Sequence, residues 1–569
     1  MNICKDPVFR AKEQLEELVT GAVGAAMREK ALPRTEFPEF TIEIPNDPAH
    51  GDFAANVAMV SAKLFKMPPL KIAEEILQRL CFDGDECYFE RAETKGPGFL
   101  NFFLKPQWRA MVLLSITALG ERYGHTNYGK GKKVMVEFVS ANPTGPMHIG
   151  NARGGAIGDA LASALDAAGY DVASEFYVND AGTQIEKFGA SLEARYLQIF
   201  KGEDAVPFPG DLYQGEDIKY RAKGYADVFG EKLLDVSGEK RRSELVKYAL
   251  PRNLNDMREI LSDYRIEYKV WFHESSLYSD GTIDEVLDTL KERALVYKKD
   301  GALWYKATAF GGDKDEVLVR QNGAYTYFMA DIAYHYNKFS LRGFQKVINV
   351  WGADHHGHIA RLKGAMDAMG IGGEKLDIVL LQLVRLIKDG EPYRMSKRQG
   401  RGVTLSDLLE LVPLDAARFF FNLTSPNAAM DFDLDLAKEQ SSKNPVYYVQ
   451  YAHARICSIL KKLSENGVTP EECTENELLL LKAPEEDALI HKLSQFPSEI
   501  IWAAVNYDPS RLTHYAIDTA SLFHRFYTNC HVQVEDKSLM QARICLCIAV
   551  KTTIANALGL LKISAPESM

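Results

Sequence analysis

Residues 134–180 carry the pattern that most limits what this chain can fold into: strand, loop, helix, strand. The run VMVEFVS (134–140) is nearly continuous in apolar residues, which is typical of a strand covered on both faces. A proline- and glycine-rich loop, a helix of small residues and a second apolar run, SEFYVND (174–180), follow it. This order predicts parallel strands joined by a helix, in an α/β fold that binds ligands at the carboxyl ends of its strands. Further strands are expected at 346–352 and 376–384.

The chain has 569 residues, too many for a single hydrophobic core, so we expect several domains. Periodicity predicts helices over 7–31 and from about 56 to 80, and strands at 40–44 and 96–104. After Asn444, strand patterns nearly vanish. The predicted division, in chain order, is an α+β domain (1–108), a linker helix and loop (109–133), a Rossmann-like catalytic domain (134–403) with a helical insertion at about 185–300, a connecting region (404–444) and an all-α bundle (445–569).

Charge and cysteine content limit how this chain can bind nucleic acid and where in the cell it is expected. The chain has 67 Lys and Arg against 78 Asp and Glu, a net charge of −11, and the C-terminal bundle carries 11 against 14. This balance argues against nucleic-acid binding through diffuse positive charge, so any such contact must use local basic or aromatic patches. The eight cysteines include no Cys-x-x-Cys pair, and no stretch approaches about 18 uninterrupted apolar residues. With no secretory leader evident, the expected location is the cytoplasm, without membrane contact.

The loop from Pro143 to Asn151 is the sharpest candidate for chemistry. Its prolines and Gly145 restrict the backbone, His148 opens the following helix, and Gly150 removes a Cβ where a planar ring could lie. The helix N-terminus offers unpaired N–H groups and a positive dipole end, which suit a phosphate. Taken alone, the pattern fits a tight strand–helix turn with a solvent-facing histidine equally well.

A second candidate lies far along the chain. Its residues are Arg394, Met395, Ser396, Lys397 and Arg398, followed by Gln-Gly-Arg-Gly. Cations on a glycine-bracketed loop suit a mobile flap that closes over a polyphosphate. A solvated basic loop is the commoner meaning of such a run on its own. Two phosphate-binding patterns in this order, within an α/β frame, are much harder to produce by chance and together predict a nucleotide site.

At these two loops the chain resembles the class I aminoacyl-tRNA synthetases, whose signatures are His-Ile-Gly-His and Lys-Met-Ser-Lys-Ser. Asn151 stands where the family has its second His, and its amide can still donate a hydrogen bond. Arg394 replaces the first Lys and Arg398 the final Ser, whereas Lys397, whose counterpart stabilises the reacting phosphates, is retained. The resemblance implies ATP as a substrate, with Mg²⁺ accompanying it. The implied catalytic residues are His148, Gly150, Asn151 and Lys397.

Further blocks narrow the resemblance to the bacterial arginyl-tRNA synthetases. In chain order they are HGDFAANVAM (50–59), VEFVSANPTGPMHIGN (136–151), YVNDAGTQIEKFG (177–189), DGALWYKAT (300–308), TYFMADIAYHYNK (326–338) and WGADHHG (351–357). The resemblance implies a class I catalytic domain, an N-terminal domain that contacts the tRNA elbow, and a C-terminal anticodon-binding bundle. The implied reaction forms arginyl-adenylate from L-arginine and ATP and passes the arginyl group to the 3′-terminal ribose of tRNA(Arg). Arginine activation in this family can require bound tRNA. The implied ATP-binding residues are Pro143, Gly145, His148, Gly150, Asn151, Gly352, Asp354, His355, Met395, Ser396 and Lys397.

The arginine pocket can also be argued from chemistry. A guanidinium needs planar acceptors and a carboxylate, and free arginine needs a partner for its α-amino group. Tyr327 and Asp331 lie four residues apart, on one face if the segment is helical, and they match the family's side-chain-recognition positions. The ends of the first two strands supply the other candidates, Glu137, Ser140, Asn142, Asn179, Asp180 and Gln184. Each acid alone would more often be a surface or capping residue, but their convergence at one sheet edge favours a site.

Two other patterns imitate functional sites. The segment GHTNYGK (124–130) has the spacing of a phosphate-binding loop, but Gly131 follows it in place of Ser or Thr and it precedes the strand, so we predict a linker. The histidine-rich run 354–358 is dense enough for a metal site. Because adjacent side chains point apart, we favour the edge of an ATP pocket and expect no protein-bound metal.

Aromatic side chains are the candidates for RNA contact, because unpaired bases stack on them. Tyr448 and Tyr451, with Arg455 one turn later, share a helix face, although such a stripe is more often core. These residues and Met569 match positions where the arginyl enzymes hold anticodon bases. Similarly, Phe99 and Asn101 resemble residues that receive a base of the tRNA elbow.

The expected protein is a monomer that acts on tRNA and not on DNA. Two alternatives stay open: a class I synthetase for another amino acid, and a catalytically inactive tRNA-binding paralogue. Intact His148, Gly150 and Lys397 argue against the inactive form.

Overall fold

The structure is a computed structural model that describes residues 4–45, 47–84, 86–393 and 403–569. These residues form an N-terminal α+β domain, a central domain built on a parallel sheet and a C-terminal helical bundle. The predicted fold class is therefore confirmed. The second phosphate-binding pattern, Arg394 to Arg398, lies outside the described residues.

The N-terminal domain is built on an antiparallel sheet. Its elements are α1 (Pro7–Arg28), β1 (Ile42–Glu43), β2 (Phe53–Ala55), α2 (Val57–Phe65), α3 (Pro69–Leu77), β3 (Phe89–Lys95) and β4 (Phe99–Leu104). The strand order is β1–β2–β4–β3. The helix expected from 56 to 80 is divided in two, because Pro68 and Pro69 cannot continue the hydrogen bonds of α2. Sequence analysis also missed β3, whose residues FERAETK are mostly polar.

The helix that follows, α4 (Pro106–Leu119), was predicted to belong to a linker, but it is largely buried. The first strand and helix of the central domain come next, β5 (Lys133–Glu137) and α5 (Ile149–Ala167). The remaining elements of that domain are β6 (Asp171–Val178), α6 (Gly182–Lys201), α7 (Glu216–Phe229), α8 (Gly238–Asp263), β7 (Val270–His273), α9 (Glu274–Ser279), α10 (Thr282–Glu292), β8 (Val296–Lys299), β9 (Ala302–Tyr305), β10 (Glu316–Val319), α11 (Tyr327–Tyr336), β11 (Lys346–Gly352), α12 (His356–Ala368) and β12 (Leu376–Leu381).

The central sheet is parallel, and in the described part of the chain its order is β12–β11–β5–β6–β7. Strand β5 lies in the middle, which explains its continuous apolar sequence. The segment 185–300, predicted as a helical insertion, also contains the edge strand β7, paired with β6. Its apolar run of only three residues, Val270 to Phe272, is too short a pattern to identify from sequence.

The strand expected at 376–384 is two strands in different sheets. After β12 the chain turns at Gln382 and Leu383 and continues as β13 (Val384–Lys388). The elements up to residue 438 are β14 (Glu391–Pro392), α13 (Leu405–Leu411), α14 (Leu414–Phe421), β15 (Met430–Asp433) and α15 (Leu434–Lys438). Strand β13 pairs with both β14 and β15, so the predicted connecting region 404–444 shares a sheet with the strand that precedes the second loop.

From Pro445 the described chain is helical, as predicted. The helices are α16 (Pro445–Glu465), α17 (Glu475–Leu478), α18 (Pro484–Ser494), α19 (Phe496–Asn506), α20 (Ser510–Asn529) and α21 (Lys537–Leu560). Helix α21 is long and apolar enough to cross a membrane by length and composition alone, with a mean hydropathy of 1.4 over its most apolar stretch. Core helices have the same property, and α21 packs against α4, α16 and α20.

Candidate active site

Two cavities adjoin at the carboxyl ends of the parallel strands, where the sequence predicts a ligand. The larger has a volume of about 1230 Å³ and lies over the N-terminus of α5. The smaller, of about 640 Å³, lies against α11. Ser140, Gly352, Asp354 and His355 line both, so the two cavities have a common wall. We call them the nucleotide cleft and the α11 pocket.

The first signature loop lines the nucleotide cleft. Gly145, His148, Gly150 and Asn151 all contribute to its wall. A Cβ on Gly150 would lie 3.2 Å from the imidazole of His148, so any other residue here would press on the ring and displace it by a few tenths of an ångström. Partial desolvation lowers the pKa of His148, so its imidazole is neutral at pH 7 and offers a hydrogen bond instead of a charge.

Asn151, which replaces the second signature histidine, accepts a hydrogen bond from the backbone. The backbone N–H of His148 donates to Asn151 Oδ1 at 3.0 Å, which closes the first turn of α5. The amide nitrogen Nδ2 is the part of this side chain that can still donate to a ligand. Nearby, Asn253 Nδ2 donates to the Pro143 carbonyl at 2.9 Å and ties the signature loop to α8.

The first loop is hydrogen-bonded to the chain directly after the second. The Ile149 N–H donates to the Val403 carbonyl at 3.0 Å, and the Leu405 N–H donates to the Met147 carbonyl at 2.9 Å. On the other side, Gln382, Leu383 and Val384 line the nucleotide cleft. Met395, Ser396 and Lys397 lie outside the described residues, but the chain before them lines the cleft at residues 382–384 and the chain after them is hydrogen-bonded to the first loop.

Tyr327 and Asp331 both lie on α11 and both line the α11 pocket. The Tyr327 hydroxyl makes a hydrogen bond with Thr183 Oγ1 of α6. Asp331 Oδ2 lies 2.9 Å from His358 Nε2. A tyrosine hydroxyl and a carboxylate on one wall form the kind of acceptor pair that a guanidinium requires.

A buried charged network forms the floor of the pocket. Lys338 Nζ donates to Glu137 Oε2 at 2.5 Å, and Arg342 pairs with Glu175. The Ser140 hydroxyl donates to Glu137 Oε1 at 3.0 Å. Glu137 is paired with Lys338, so the carboxylates that remain to bind a cation in the pocket are Asp331, on α11, and Asp354, on the wall shared with the nucleotide cleft.

The turn after β5 has an unusual backbone. The predicted strand 134–140 ends at Glu137, and both Val139 (φ 67°) and Ser140 (φ 40°) lie in the left-handed region. This conformation is costly for a β-branched residue and concentrates at functional sites. It places the Ser140 hydroxyl where it also accepts a hydrogen bond from the Tyr177 N–H at 3.1 Å, joining the ends of β5 and β6.

Four predicted residues lie away from the walls of the two cavities, and the first is Pro143, whose carbonyl accepts from Asn253. Asp180 accepts hydrogen bonds from Ser275 and contacts His273 Nδ1 at 2.8 Å. Asn179, with its amide oriented by its neighbours, donates to Glu274 Oε2 at 3.0 Å. Gln184 accepts from the hydroxyl of Tyr213, which itself lines the nucleotide cleft. In contrast, Asn142 lines that cleft directly.

Sequence analysis assigned no role to several residues of the α11 pocket. These are Tyr177, Tyr334, His335, Trp351 and Arg361; His358 lies in the same pocket, although its run 354–358 was expected at the edge of an ATP pocket. His358 belongs to the histidine-rich run that was weighed as a metal site, and Tyr334 and His335 follow Asp331 on α11. Among the described residues no group of three or more His, Cys, Asp or Glu side chains is arranged to hold a metal ion.

The aromatic candidates of the C-terminal bundle gather on one surface of α16. Tyr448 and Tyr451 both lie beside the imidazole of His524, with ring centroids 4.8 and 5.9 Å away. Arg455 donates to the Tyr451 hydroxyl at 2.9 Å. The C-terminal segment that leads to Met569 is tied to α16, because His453 Nδ1 lies 2.9 Å from the Pro566 carbonyl.

Phe99 and Asn101, the candidate tRNA contacts in the N-terminal domain, differ in how exposed their side chains are to solvent. Both lie on β4, and their side chains share the face of the sheet opposite to Leu100 and Phe102. Phe99 is partly exposed, whereas Asn101 is only 4% exposed. Of the pair, Phe99 is therefore the accessible stacking surface.

Comparison with known proteins identifies the family. Family models match residues 13–104 (arginyl tRNA synthetase N terminal domain), 113–419 (tRNA synthetases class I (R), catalytic domain) and 449–569 (DALR anticodon binding domain). The chain is 54% identical over 562 residues to an arginine–tRNA ligase of Caldanaerobacter subterraneus subsp. tengcongensis, covering 99% of both chains. It is 53% identical over 558 residues to that of Acetivibrio thermocellus, covering 98% of this chain and 99% of the relative. The solved structure of Thermus thermophilus arginyl-tRNA synthetase has the same fold, with a TM-score of 0.73 over 96% of this chain and 99% of that one, at 23% identity. The predicted family is confirmed: the chain belongs to the arginine–tRNA ligases, the arginyl class I aminoacyl-tRNA synthetases.

Proposed function

We propose that this protein activates L-arginine with ATP and transfers the arginyl group to the 3′-terminal ribose of tRNA(Arg). The observation that carries the proposal is the common wall of the two cavities. Arginine in the α11 pocket and ATP in the nucleotide cleft would meet at Ser140 and Gly352. The carboxylate of one substrate would then lie beside the α-phosphate of the other, which is the geometry that adenylate formation needs.

The α11 pocket is proposed to recognise arginine by its two ends. Asp331 and Tyr327 would hold the guanidinium, while Glu137, Ser140 and Asn142 lie toward the shared wall, where the α-amino and carboxylate groups would bind. Asn179, Asp180 and Gln184 would reach the amino acid only if the N-terminus of α6 moved toward the pocket, because their side chains bond elsewhere.

The nucleotide cleft is proposed to hold ATP between the two signature loops. The proposed contacts are Pro143, Gly145, His148, Gly150, Asn151, Gly352, Asp354 and His355, with Met395, Ser396 and Lys397 from the second loop. The hydrogen bonds between residues 147–149 and 403–405 support this arrangement, since they fix one end of the second loop beside the first. Mg²⁺ would reach the cleft with the triphosphate, as is usual where substrate phosphates supply most of its ligands.

Catalysis would consist of positioning and charge stabilisation, without a protein nucleophile. An oxygen of the arginine carboxylate attacks the α-phosphorus in line, the bond to the bridging oxygen breaks, and pyrophosphate leaves. The N–H groups at the start of α5, the neutral His148 and the cation of Lys397 would stabilise the phosphate charge. The 2′-hydroxyl of the terminal tRNA ribose then attacks the carbonyl carbon of the adenylate, and AMP leaves.

The tRNA is proposed to contact two distant surfaces. Tyr448, Tyr451, Arg455 and Met569 would hold anticodon bases, and Phe99 with Asn101 would contact the elbow. The clustering of the first three residues around His524 supports the anticodon surface. We propose that the protein acts as a cytoplasmic monomer.

The decisive experiment is ATP–pyrophosphate exchange measured with each common amino acid, with and without total tRNA. Exchange that depends on arginine and is stimulated by tRNA is expected. Exchange with another amino acid would point to a different specificity. No exchange at all, with tRNA binding intact, would indicate an inactive paralogue.

A further inference from the structure

We infer that His358 is a positioning residue for arginine recognition, held by Arg361 in the tautomer that carries its proton on Nε2. In that form it orients the Asp331 carboxylate so that the second oxygen, Oδ1, faces the guanidinium. The inference rests on the proposed function, which places the arginine side chain against Asp331.

The direction of each hydrogen bond follows from chemistry. Arg361 Nε lies 2.6 Å from His358 Nδ1, and a guanidinium nitrogen can only donate. His358 Nδ1 must therefore accept, so the proton of the neutral ring is on Nε2. That nitrogen lies 2.9 Å from Asp331 Oδ2 and donates to it. The tautomer is thus determined by Arg361 and not by the carboxylate.

Arg361, at the far end of this chain of hydrogen bonds, is held in place as well. Arg361 Nη1 donates to Glu316 Oε1 of β10 at 2.9 Å. Its charge is therefore paired with Glu316 although the side chain lines the pocket. Asp331 faces a neutral imidazole, so its negative charge stays available for a cationic ligand.

The ring of His358 is also held from the sides. Phe328 packs edge-on against it, with ring centroids 5.7 Å apart, and the Trp351 ring lies at the same distance. Within the described ranges, Asp331 Oδ1 receives no hydrogen bond from the protein, while the Asp331 carbonyl lies 2.8 Å from His335 Nδ1. One carboxylate oxygen and the backbone are thus fixed, and the remaining oxygen is left for the substrate.

A pair of substitutions separates orientation from packing. His358→Leu removes the donor, whereas His358→Gln restores it, since an amide offers one acceptor to Arg361 and one donor to Asp331. We expect His358→Leu to raise the KM for arginine about tenfold, the loss of one hydrogen bond to a charged group, with little change in kcat or in the KM for ATP. His358→Gln should stay within about threefold of the parent protein. His514→Leu, at an exposed histidine of α20 that lines neither cavity, is the matched control.

The measurement is tRNA-supported arginine-dependent pyrophosphate exchange, with the melting temperature of each variant recorded. Equal impairment of the Leu and Gln variants would overturn the inference, because it would assign the effect to packing of the ring. An unchanged arginine KM in His358→Leu would overturn it too. Asp331→Ala separates this inference from the proposed function. If Asp331→Ala raises the arginine KM and His358→Leu does not, Asp331 still binds arginine and only the orienting role of His358 is wrong. No arginine-dependent exchange in the parent protein would instead refute the proposed function.

Discussion

At the residue scale, the charged floor of the α11 pocket shows how the site is kept rigid. Lys338 is fully buried on a π-helical turn (Asn337–Leu341), a distortion common at functional sites. Its ammonium donates to Glu137 and to Asn349 Oδ1 at 3.3 Å. The Asn349 amide nitrogen in turn lies 2.8 Å from His335 Nε2. Since Lys338 can only donate, Asn349 must donate to His335, and His335 Nδ1 then donates to the Asp331 carbonyl.

His335 gives the protein a pH dependence that can be measured. Burial, reinforced by the charge of Lys338, lowers the pKa of His335 to about 3. The unfolded chain takes up this proton from about pH 6.5 downward and the folded protein does not, so stability falls as the pH drops through this window, by up to about 1.4 kcal/mol per pH unit. Between about pH 7.5 and about pH 5.5, the melting temperature of His335→Gln should therefore fall less than that of the parent protein. The exposed His356→Gln serves as control and should follow the parent; equal slopes for all three proteins would contradict the assignment.

At the scale of elements, helix α5 connects the nucleotide cleft with the strands around the second loop. Arg153, on its second turn, is only 1% exposed. It donates to the carbonyls of Gln382 at 2.8 Å, Ser425 at 3.1 Å and Ala428 at 2.9 Å. Burial lowers the pKa of Arg153 to about 10. One side chain thus joins α5 to the turn between β12 and β13 and to the loop before β15.

Removing this connection should raise the KM for ATP more than the KM for arginine. Arg153→Met leaves three carbonyls in partly buried hydrogen bonds without their donor, at a cost of about 1–3 kcal/mol for each one that finds no other partner, water included. We expect a lower melting temperature and a raised KM for ATP in pyrophosphate exchange, because Gln382 and Leu383 line the cleft. Arg385→Met is the matched control. Its ion pair with Asp431 is largely exposed, and such pairs contribute little. Equal effects of the two variants would show that Arg153 has no special role.

At the scale of the whole molecule, the N-terminal domain touches the C-terminal bundle, and the bundle in turn packs on helix α5 of the catalytic domain. Asp52 of the N-terminal domain lies 3.1 Å from His491 of α18, which also packs on Trp108 of α4. Burial of α4 against α18 and α21 makes the predicted linker helix part of the bundle. The candidate RNA surfaces on β4 and α16 are therefore carried on connected domains.

A substitution at Tyr451 tests the proposed anticodon surface separately from the activation of arginine. A base stacked on an aromatic ring contributes about 1–3 kcal/mol, so Tyr451→Ala should raise the KM for tRNA(Arg) in aminoacylation roughly five- to hundredfold. The KM values for ATP and arginine should change little. Trp502→Ala is a suitable control, since Trp502 lies in the same domain on α19 and is 42% exposed against 37% for Tyr451. A tRNA KM unaltered by Tyr451→Ala would remove this residue from the surface.

Local sequence accounted for the parts of the fold that depend on neighbouring residues. Strand β11 has the predicted bounds, and β6 and α5 lie where the apolar runs and the signature loop place them, because burial on both faces and helix capping leave a continuous pattern. Tyr327 and Asp331 were expected on one helix face from their spacing alone, and they share it. Strands β7 and β15 were missed because their stability comes from pairing with distant strands and not from their own four residues.

The sequence by itself determined the family, the α/β core and the loops that carry the signatures, since each is written in contiguous residues. Only the tertiary structure decided which polar groups remain free in the α11 pocket. Glu137 and Asp331 are both acids at the predicted site, yet a lysine 201 positions away pairs with the first. The second is held by an imidazole 27 positions away, and its other oxygen remains for the ligand. Such pairings depend on long-range packing and buried charge, which no local pattern encodes.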